Sequence, residues 1–339
     1  MTPLLVAVVG ATATGKSALG LALAEAADGE VINADSMQLY RGMDIGTAKL
    51  TELERRGIPH HLLDIWDVRE SAAVEEYQRL ARARIAEVHA AGRAAVLVGG
   101  SGLYVRAVLD DLRFPGTDPR LRAQLEAEAE TGELGRLHER LADLDPEAAA
   151  RILPGNTRRI VRALEVIELT GGRFTATLPE PRYLQPALQV GLRIERPELD
   201  RRITERVDDM WSAGLVTEVE QLVQAGLREG RTASRALGYA QVLDMLEGRC
   251  SPDEARQATV AATRKFARRQ ERWFGRDPRV HWLDATRPDL LDATLALVAA
   301  GHPGPTNPAL RPADRSLSAL DQPDASNFGG VLRRLGGDD

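Results

Sequence analysis

Residues 10–17 read Gly10-Ala11-Thr12-Ala13-Thr14-Gly15-Lys16-Ser17, a complete phosphate-binding loop of the G-x-x-x-x-G-K-S type. The short apolar run Leu4-Leu5-Val6-Ala7-Val8-Val9 precedes it, and the Ala- and Leu-rich stretch from Ala18 to Ala27 follows it. The glycines therefore fall on a turn from a buried strand into a helix, the context the motif needs. Backbone N–H groups freed by glycine point inward at an anion, and the helix N-terminus adds its positive end. Lys16 is placed to neutralise phosphate oxygens and the Ser17 hydroxyl to face a Mg²⁺ ion. A bare strand–helix turn with no ligand would explain neither side chain. The motif does not say which compound carries the phosphates, because a diphosphate group is alike on ATP and on many other molecules.

The pattern around the loop predicts an α/β fold. Val6–Val9 reads as a strand, Ser17–Ala27 as a helix, Glu30–Ala34 as a strand, Ala73–Ala91 as a helix stopped by Gly92, and Ala94–Val98 as a strand. Such alternation implies a parallel sheet flanked by helices, with ligands beyond the carboxyl ends of the strands. From Arg113 the texture changes, and 113–186 reads as helices broken at Thr131-Gly132, Asp145-Pro146 and Pro154-Gly155. Strand-like runs return at Leu188–Ile194 and Val280–Leu283. The expected organisation is a P-loop core over 1–112 and 187–300 with an inserted all-helical domain over 113–186. The Pro-, Gly- and Asp-rich stretch 301–339 is expected to be a disordered tail.

A chain of 339 residues with 43% hydrophobic content suits a large globular protein. Its one cysteine, Cys250, excludes an internal disulfide and a thiolate metal cluster, which fits a reducing cytoplasm. No cationic leader and no membrane-length apolar run is present, so no membrane association is expected. The adjacent His60 and His61 would point to opposite faces of an extended segment, which argues against joint metal ligation. The net charge of −6 argues against a surface coated in nucleic acid. Residues 264–276 nevertheless hold Arg264, Lys265, Arg268, Arg269, Arg272 and Arg276 against Glu271 alone, a local patch for an anionic partner.

Two further strand ends carry candidate chemistry. Asp35 follows the second strand, where a carboxylate could take a proton or hold a metal-bound water, or simply cap a turn. The loop it opens, Asp35 to Lys49, has too many glycines and polar groups for a core segment and reads as a binding loop. Ser101 lies in the turn Gly99-Gly100-Ser101-Gly102, whose glycines would let a substrate approach the backbone and the hydroxyl, or merely make the turn. P-loop NTPases commonly end a second strand in a Mg²⁺-binding Asp. Here Val96-Leu97-Val98 runs into glycine with no acid, which weakens an ATPase or GTPase reading.

The P-loop, the string Gly42-Met43-Asp44-Ile45-Gly46-Thr47-Ala48-Lys49, Pro59-His60-His61-Leu62-Leu63-Asp64 and Val98-Gly99-Gly100-Ser101-Gly102-Leu103-Tyr104 together resemble the tRNA dimethylallyltransferase family. The likeness continues through Arg159–Val166, Ala236-Leu237-Gly238-Tyr239 and Arg268-Arg269-Gln270, and covers about residues 4–285. Departures occur at Ala11, Ser101, Ala240 and Arg272. The resemblance implies transfer of a dimethylallyl group from dimethylallyl diphosphate to the exocyclic amine of the adenosine just 3′ of the anticodon (tRNA position 37). It implies that Gly10 to Ser17 hold the diphosphate, with Mg²⁺ at Ser17 as cofactor. Asp35 would be the general base and Ser101 would orient the adenine, with Asp35, Ser36, Met37, Gln38 and Ser101 lining the tRNA end of the site. The helical insertion would clamp the anticodon stem-loop through Arg158, Arg159, Ile160, Val161 and Arg162. Arg268 and Arg269 would meet phosphates, and nearby Trp273 is either a stacking surface or a core residue. Either Arg202 or Arg206, which share a helix face, could reach the diphosphate. The implied enzyme is a cytoplasmic monomer. The alternatives are a P-loop nucleotide or small-molecule kinase using ATP and a non-catalytic RNA-binding protein with a vestigial P-loop.

Overall fold

Strand β1 (Leu5–Gly10) is buried along its whole length, which is why it reads as an unbroken apolar run rather than an alternating one. It lies inside a parallel sheet with β2 (Gly29–Asn33), β3 (His60–His61), β4 (Ala94–Val98), β5 (Leu188–Arg193) and β6 (Val280–Asp284), in the order β3-β2-β4-β1-β5-β6. The computed structural model describes residues 4–174 and 178–301. The parallel α/β sheet expected from the sequence is therefore present, with the two-residue β3 an addition too short to announce itself by pattern. The expectation for the tail lies outside the described residues.

The helices are α1 (Lys16–Ala26), α2 (Val74–Ala90) and α3 (Gly102–Leu109), then α4 (Pro119–Glu128), α5 (Leu134–Leu144), α6 (Pro146–Arg151) and α7 (Thr157–Thr170). They are followed by α8 (Arg196–Ser212), α9 (Leu215–Gln224), α10 (Tyr239–Leu246), α11 (Pro252–Phe274) and α12 (Leu290–Ala299). The chain divides into two compact units, one holding 4–110 and 183–301 and the other 111–182. In the first, Leu19, Leu23 and Ala24 of α1 pack with Val6, Val8, Val96, Val98 and Val190 of the sheet. A Cβ on Gly20 would lie 2.4 Å from a Val98 methyl, so glycine sets how closely α1 can approach β4.

The second unit is α4 to α7 around Leu125, Leu137, Leu141, Ile152, Ile160, Val161 and Leu164. Its helix starts follow local chemistry. Asp118 caps α4 ahead of Pro119, Asp145 caps α6 ahead of Pro146, and Asn156 caps α7. Gly132 breaks the run with φ 89°, and Gly171 ends α7 with φ 65°. One buried carboxylate ties this unit together. Glu165 accepts from the Thr117 hydroxyl at 2.5 Å, the Asp118 N–H at 3.1 Å, Arg122 at 2.5 Å and Arg162 at 2.7 Å. Burial opposes its charge, but these donors outweigh it and hold the carboxyl below its usual range. Such a group stabilises the fold above its ordinary pKa and loses that contribution as pH falls through the depressed one. Glu165→Ala leaves Arg122 and Arg162 without their shared counter-charge. We expect a loss of about 3 kcal/mol, read as a lower denaturation midpoint of the full chain at pH 7, with a smaller difference at acid pH.

Candidate functional site

The carboxyl ends of β1, β2 and β4 and the helix that follows β5 meet at a cavity of about 750 Å³, lined among others by Thr12, Lys16, Ser17, Asp35, Gln38 and Arg206. β1 ends at Gly10, whose φ of 138° and missing Cβ let the chain pass the Leu192 carbonyl, 2.5 Å from where that Cβ would sit. The loop then turns through Ala13 at φ 63° and enters α1 at Gly15, φ 90°. Thr14 ties it by donating its hydroxyl to the Ala11 carbonyl at 2.8 Å. Lys16 donates to the same carbonyl at 2.5 Å, folded over its own loop.

The electrostatics favour an anion. Burial and the neighbouring Arg206 charge bring the Lys16 pKa down to about 7, with Asp35 pulling in the opposite direction. Arg206 is lowered by burial, again partly offset by Asp35. Lys16 and Arg206 thus both feel the Asp35 carboxylate inside the same cavity. The structure also separates the two α8 arginines: Arg206 lines the cavity, whereas Arg202 is held by Glu198 at 2.7 Å.

Asp35 shapes a turn and also reaches the cavity. It lines the cavity, and one carboxylate oxygen accepts the Met37 N–H at 2.9 Å, shaping the turn after β2. Ser36 and Met37 are buried and Gln38 lines the cavity, its amide donating to the Thr47 carbonyl at 3.1 Å. Ser101 does not line the cavity; Val98 and Gly99 form the wall there. Its hydroxyl accepts the Ser36 N–H at 3.1 Å and donates to Ser36 Oγ at 3.2 Å, joining the ends of β2 and β4. The glycines beside it allow close packing, and Gly99 also lines the cavity. A Cβ on Gly99 would strike the Ala34 backbone at 2.2 Å, one on Gly100 would meet Gln270 at 2.2 Å, and one on Gly102 would meet Trp273 at 2.0 Å.

The 44–49 loop owes its shape to Glu218 of α9. This carboxylate accepts the N–H groups of Asp44 at 3.0 Å, Ile45 at 2.7 Å and Gly46 at 3.2 Å, and the Tyr239 hydroxyl at 2.6 Å. Gly46 has room for no Cβ, since the Tyr239 ring would stand 2.4 Å away. Lys49 is buried against Asp44 at 2.6 Å, Asp64 at 2.5 Å and the Tyr40 carbonyl at 3.0 Å, so it holds the loop together. Glu218 gave no sequence signal, because the loop amides it binds lie more than 170 positions away. The two histidines of β3 have separate surroundings: His61 pairs with Glu30, while His60 lines the cavity and bonds the Ile58 carbonyl at 2.8 Å.

The other sequence candidates lie apart from the cavity. Ile160 and Val161 are core residues of the helical unit, and Arg162 is taken up by Glu165 and the carbonyls of Pro115 and Gly116. Ile160 and Val161 are both buried there. Arg158 and Arg159 are half-exposed on the same helix. On α11, Arg268 is exposed and Arg269 lies over the Phe266 ring, 5.5 Å from its centroid. Trp273 is buried against Gly102, which makes it a core residue and not a stacking surface. Among the described residues no helix is long and apolar enough to cross a membrane.

A cavity cation titrating near neutrality has a measurable consequence. An anion beside Lys16 raises its pKa, so binding takes up a proton once the free site has lost one. Affinity for inorganic diphosphate should fall as pH rises above about 7. Calorimetry in buffers of different ionisation enthalpy should show proton uptake that Lys16→Met removes. Equal uptake by the variant would assign the proton to the diphosphate instead.

Comparison with known proteins agrees with this geometry. The family model described as IPP transferase matches residues 38–277. A tRNA dimethylallyltransferase of Thermobifida fusca is 66% identical over 299 residues, covering 86% of this chain and 93% of the relative. One from Streptomyces avermitilis is 63% identical over 302 residues, 89% of this chain and 97% of the relative. Among solved structures, a tRNA isopentenylpyrophosphate transferase of Bacillus halodurans is 40% identical with a TM-score of 0.66, covering 88% of this chain and 96% of the other. A eukaryotic dimethylallyltransferase acting on tRNA is 26% identical with a TM-score of 0.74, covering 88% of this chain and 77% of the other. With a P-loop cavity of this construction and a family match over most of its length, the chain belongs to the IPP transferase family.

Proposed function

We propose that the chain transfers a dimethylallyl group from dimethylallyl diphosphate to the exocyclic amine of adenosine 37 of tRNA, releasing diphosphate. The observation that carries this reading is the pairing, in one cavity, of a cation-rich P-loop with an acid at the end of β2. The relatives' name, tRNA dimethylallyltransferase, supports tRNA as the acceptor and dimethylallyl as the group moved, and the P-loop supports a diphosphate as its carrier. The amine nitrogen attacks the primary allylic carbon, the carbon–oxygen bond breaks, and the electron pair leaves on the diphosphate. The amine proton passes to Asp35. Negative charge grows on the leaving group, where the P-loop N–H groups, Lys16 and Arg206 stabilise it.

Mg²⁺ fits the donor set on offer. Ser17 presents a hydroxyl to the cavity, and among the described residues no group of three or more His, Cys, Asp or Glu could hold a metal by itself. Mg²⁺ is at home with few protein ligands, completing its shell with phosphate oxygens and water. When bound, it would neutralise charge on the departing diphosphate. Ser101 acts through Ser36, steadying the turn that carries Asp35, and touches adenine only by giving up that bond. Gln38 faces the incoming base, and Arg158, Arg159, Arg268 and Arg269 serve the anticodon stem-loop electrostatically. The first unit alone holds the reacting groups, so a cytoplasmic monomer suffices for the chemistry. A kinase is disfavoured because β4 runs into Gly99-Gly100 without an acid to share a nucleotide-bound metal.

The reaction is tested by incubating the protein with unmodified tRNA, Mg²⁺ and dimethylallyl diphosphate, then digesting the tRNA for nucleoside mass analysis. The expected product is a dimethylallyl increment confined to the adenosine beside the anticodon. ATP turnover without an increment would replace this reading with the kinase. Asp35→Asn keeps an oxygen for the Met37 N–H and removes the base. Turnover should fall by about two to four orders of magnitude with tRNA affinity retained. Near-normal turnover in this variant would remove Asp35 from the role.

A further inference from the structure

Helix α11 reaches the site through one side chain that neither the chemistry nor the charge pattern has used so far. Gln270 is 5% exposed and lines the cavity. Its carbonyl oxygen accepts the Thr12 N–H at 2.8 Å, and its amide nitrogen donates to the Gly100 carbonyl at 2.9 Å. The first contact grips the P-loop after β1, and the second grips the turn after β4, 170 positions from Gln270. Only a side chain with an acceptor and a donor on one rigid planar group can serve both at once, which selects an amide. A Cβ on Gly100 would stand 2.2 Å from the Gln270 amide nitrogen, so that glycine is shaped to receive it. One helical turn on, Trp273 fills the space above Gly102 in the same manner.

We infer that Gln270 is a positioning residue for the transfer: it bridges the P-loop at Thr12 to the Gly99–Ser101 turn, and so sets where the diphosphate sits relative to the Asp35 end of the cavity. This rests on the function proposed above. Gln270 holds the Thr12 N–H itself, so that amide is a fixed point of the loop rather than a phosphate donor. On the other side, Gly99 abuts Ala34 and Ser101 bonds Ser36, so the Gly100 contact is passed on to the turn bearing Asp35. The leaving group and the base belong to different strands, and displacing one loop by an ångström or so lengthens the path of attack. Misplacement of that size costs about a hundredfold in rate.

The test compares the wild type with Gln270→Met, which matches the side chain in length and loses both bonds. Each protein is first shown to be folded by circular dichroism at the assay temperature. We expect kcat/KM for dimethylallyl diphosphate to fall about 10- to 100-fold and the Kd for inorganic diphosphate to rise, while KM for tRNA stays within about threefold. A merely structural role would not separate the two substrates. Should Gln270→Met fail to fold, Gln270→Ala takes its place with the same readouts, since it removes both bonds and places nothing against Gly100. Values within about threefold of wild type for dimethylallyl diphosphate and diphosphate, or equal losses toward both substrates, would overturn the inference. A wild type that binds diphosphate but prenylates no tRNA would instead count against the proposed function, and the diphosphate Kd of the variant would still decide the bridge.

Discussion

Lys16 and Arg206, buried together beside Asp35 in one cavity, are the constraint around which this site is built. Removing Lys16 and Arg206 from water weakens the hold of both on their protons, and Asp35 offsets only part of that. A dianionic or trianionic group entering between them recovers the interaction that water has lost. Fixed charges of this kind are what stabilising a departing diphosphate would require under the proposed function. Lys16 itself donates to the Ala11 carbonyl of its own loop.

Keeping those charges in place demands unusually close approach between segments. The end of β1 passes β5 at Gly10 against Leu192, and the ends of β2 and β4 meet at Gly99 against Ala34, both where there is no room for a side chain. Gly20 lets α1 seat on β4, and Gly100 and Gly102 let α11 seat on the turn beyond it. Close packing of this kind transmits position, because interiors at crystal-like density deform little. The Gln270 bridge and the Ser101–Ser36 link add directional contacts to the same junction.

The binding loop shows how polar a purely architectural segment can be. Asp44, Lys49 and Asp64 satisfy one another, and the amides of residues 44–46 converge on Glu218. Burying Glu218 against three N–H groups and the Tyr239 hydroxyl meets the demand that buried charge be fully bonded. Much of the loop's charge therefore maintains its own shape, even though Asp44 and Lys49 line the cavity beside Met37, Gln38 and Ile45.

Local pattern was sufficient for the elements. The apolar runs of β1, β4 and β5, the cap-and-proline starts of α4 and α6 and the breaks at Gly132 and Pro154-Gly155 are short-range signals and could be read in order. The P-loop and the acid after β2 were legible for the same reason, since each is a single strand end with its own chemistry. Which arginine of α8 faces the cavity was not, because Arg202 and Arg206 share a face and differ only in having Glu198 as a neighbour. Nor could the sequence distinguish glycines that admit a ligand from glycines that admit a helix. Nor did it show that Ile160 and Val161 point into the core of the helical unit while the neighbouring arginines do not. Gln270 and Glu218 take their meaning from partners 170 or more positions away. The sequence by itself determined the strand ends and the chemical groups upon them; only the tertiary structure decided which groups meet, because hydrogen bonds and close contacts are made across the sheet between segments whose separation along the chain carries no information about distance in space.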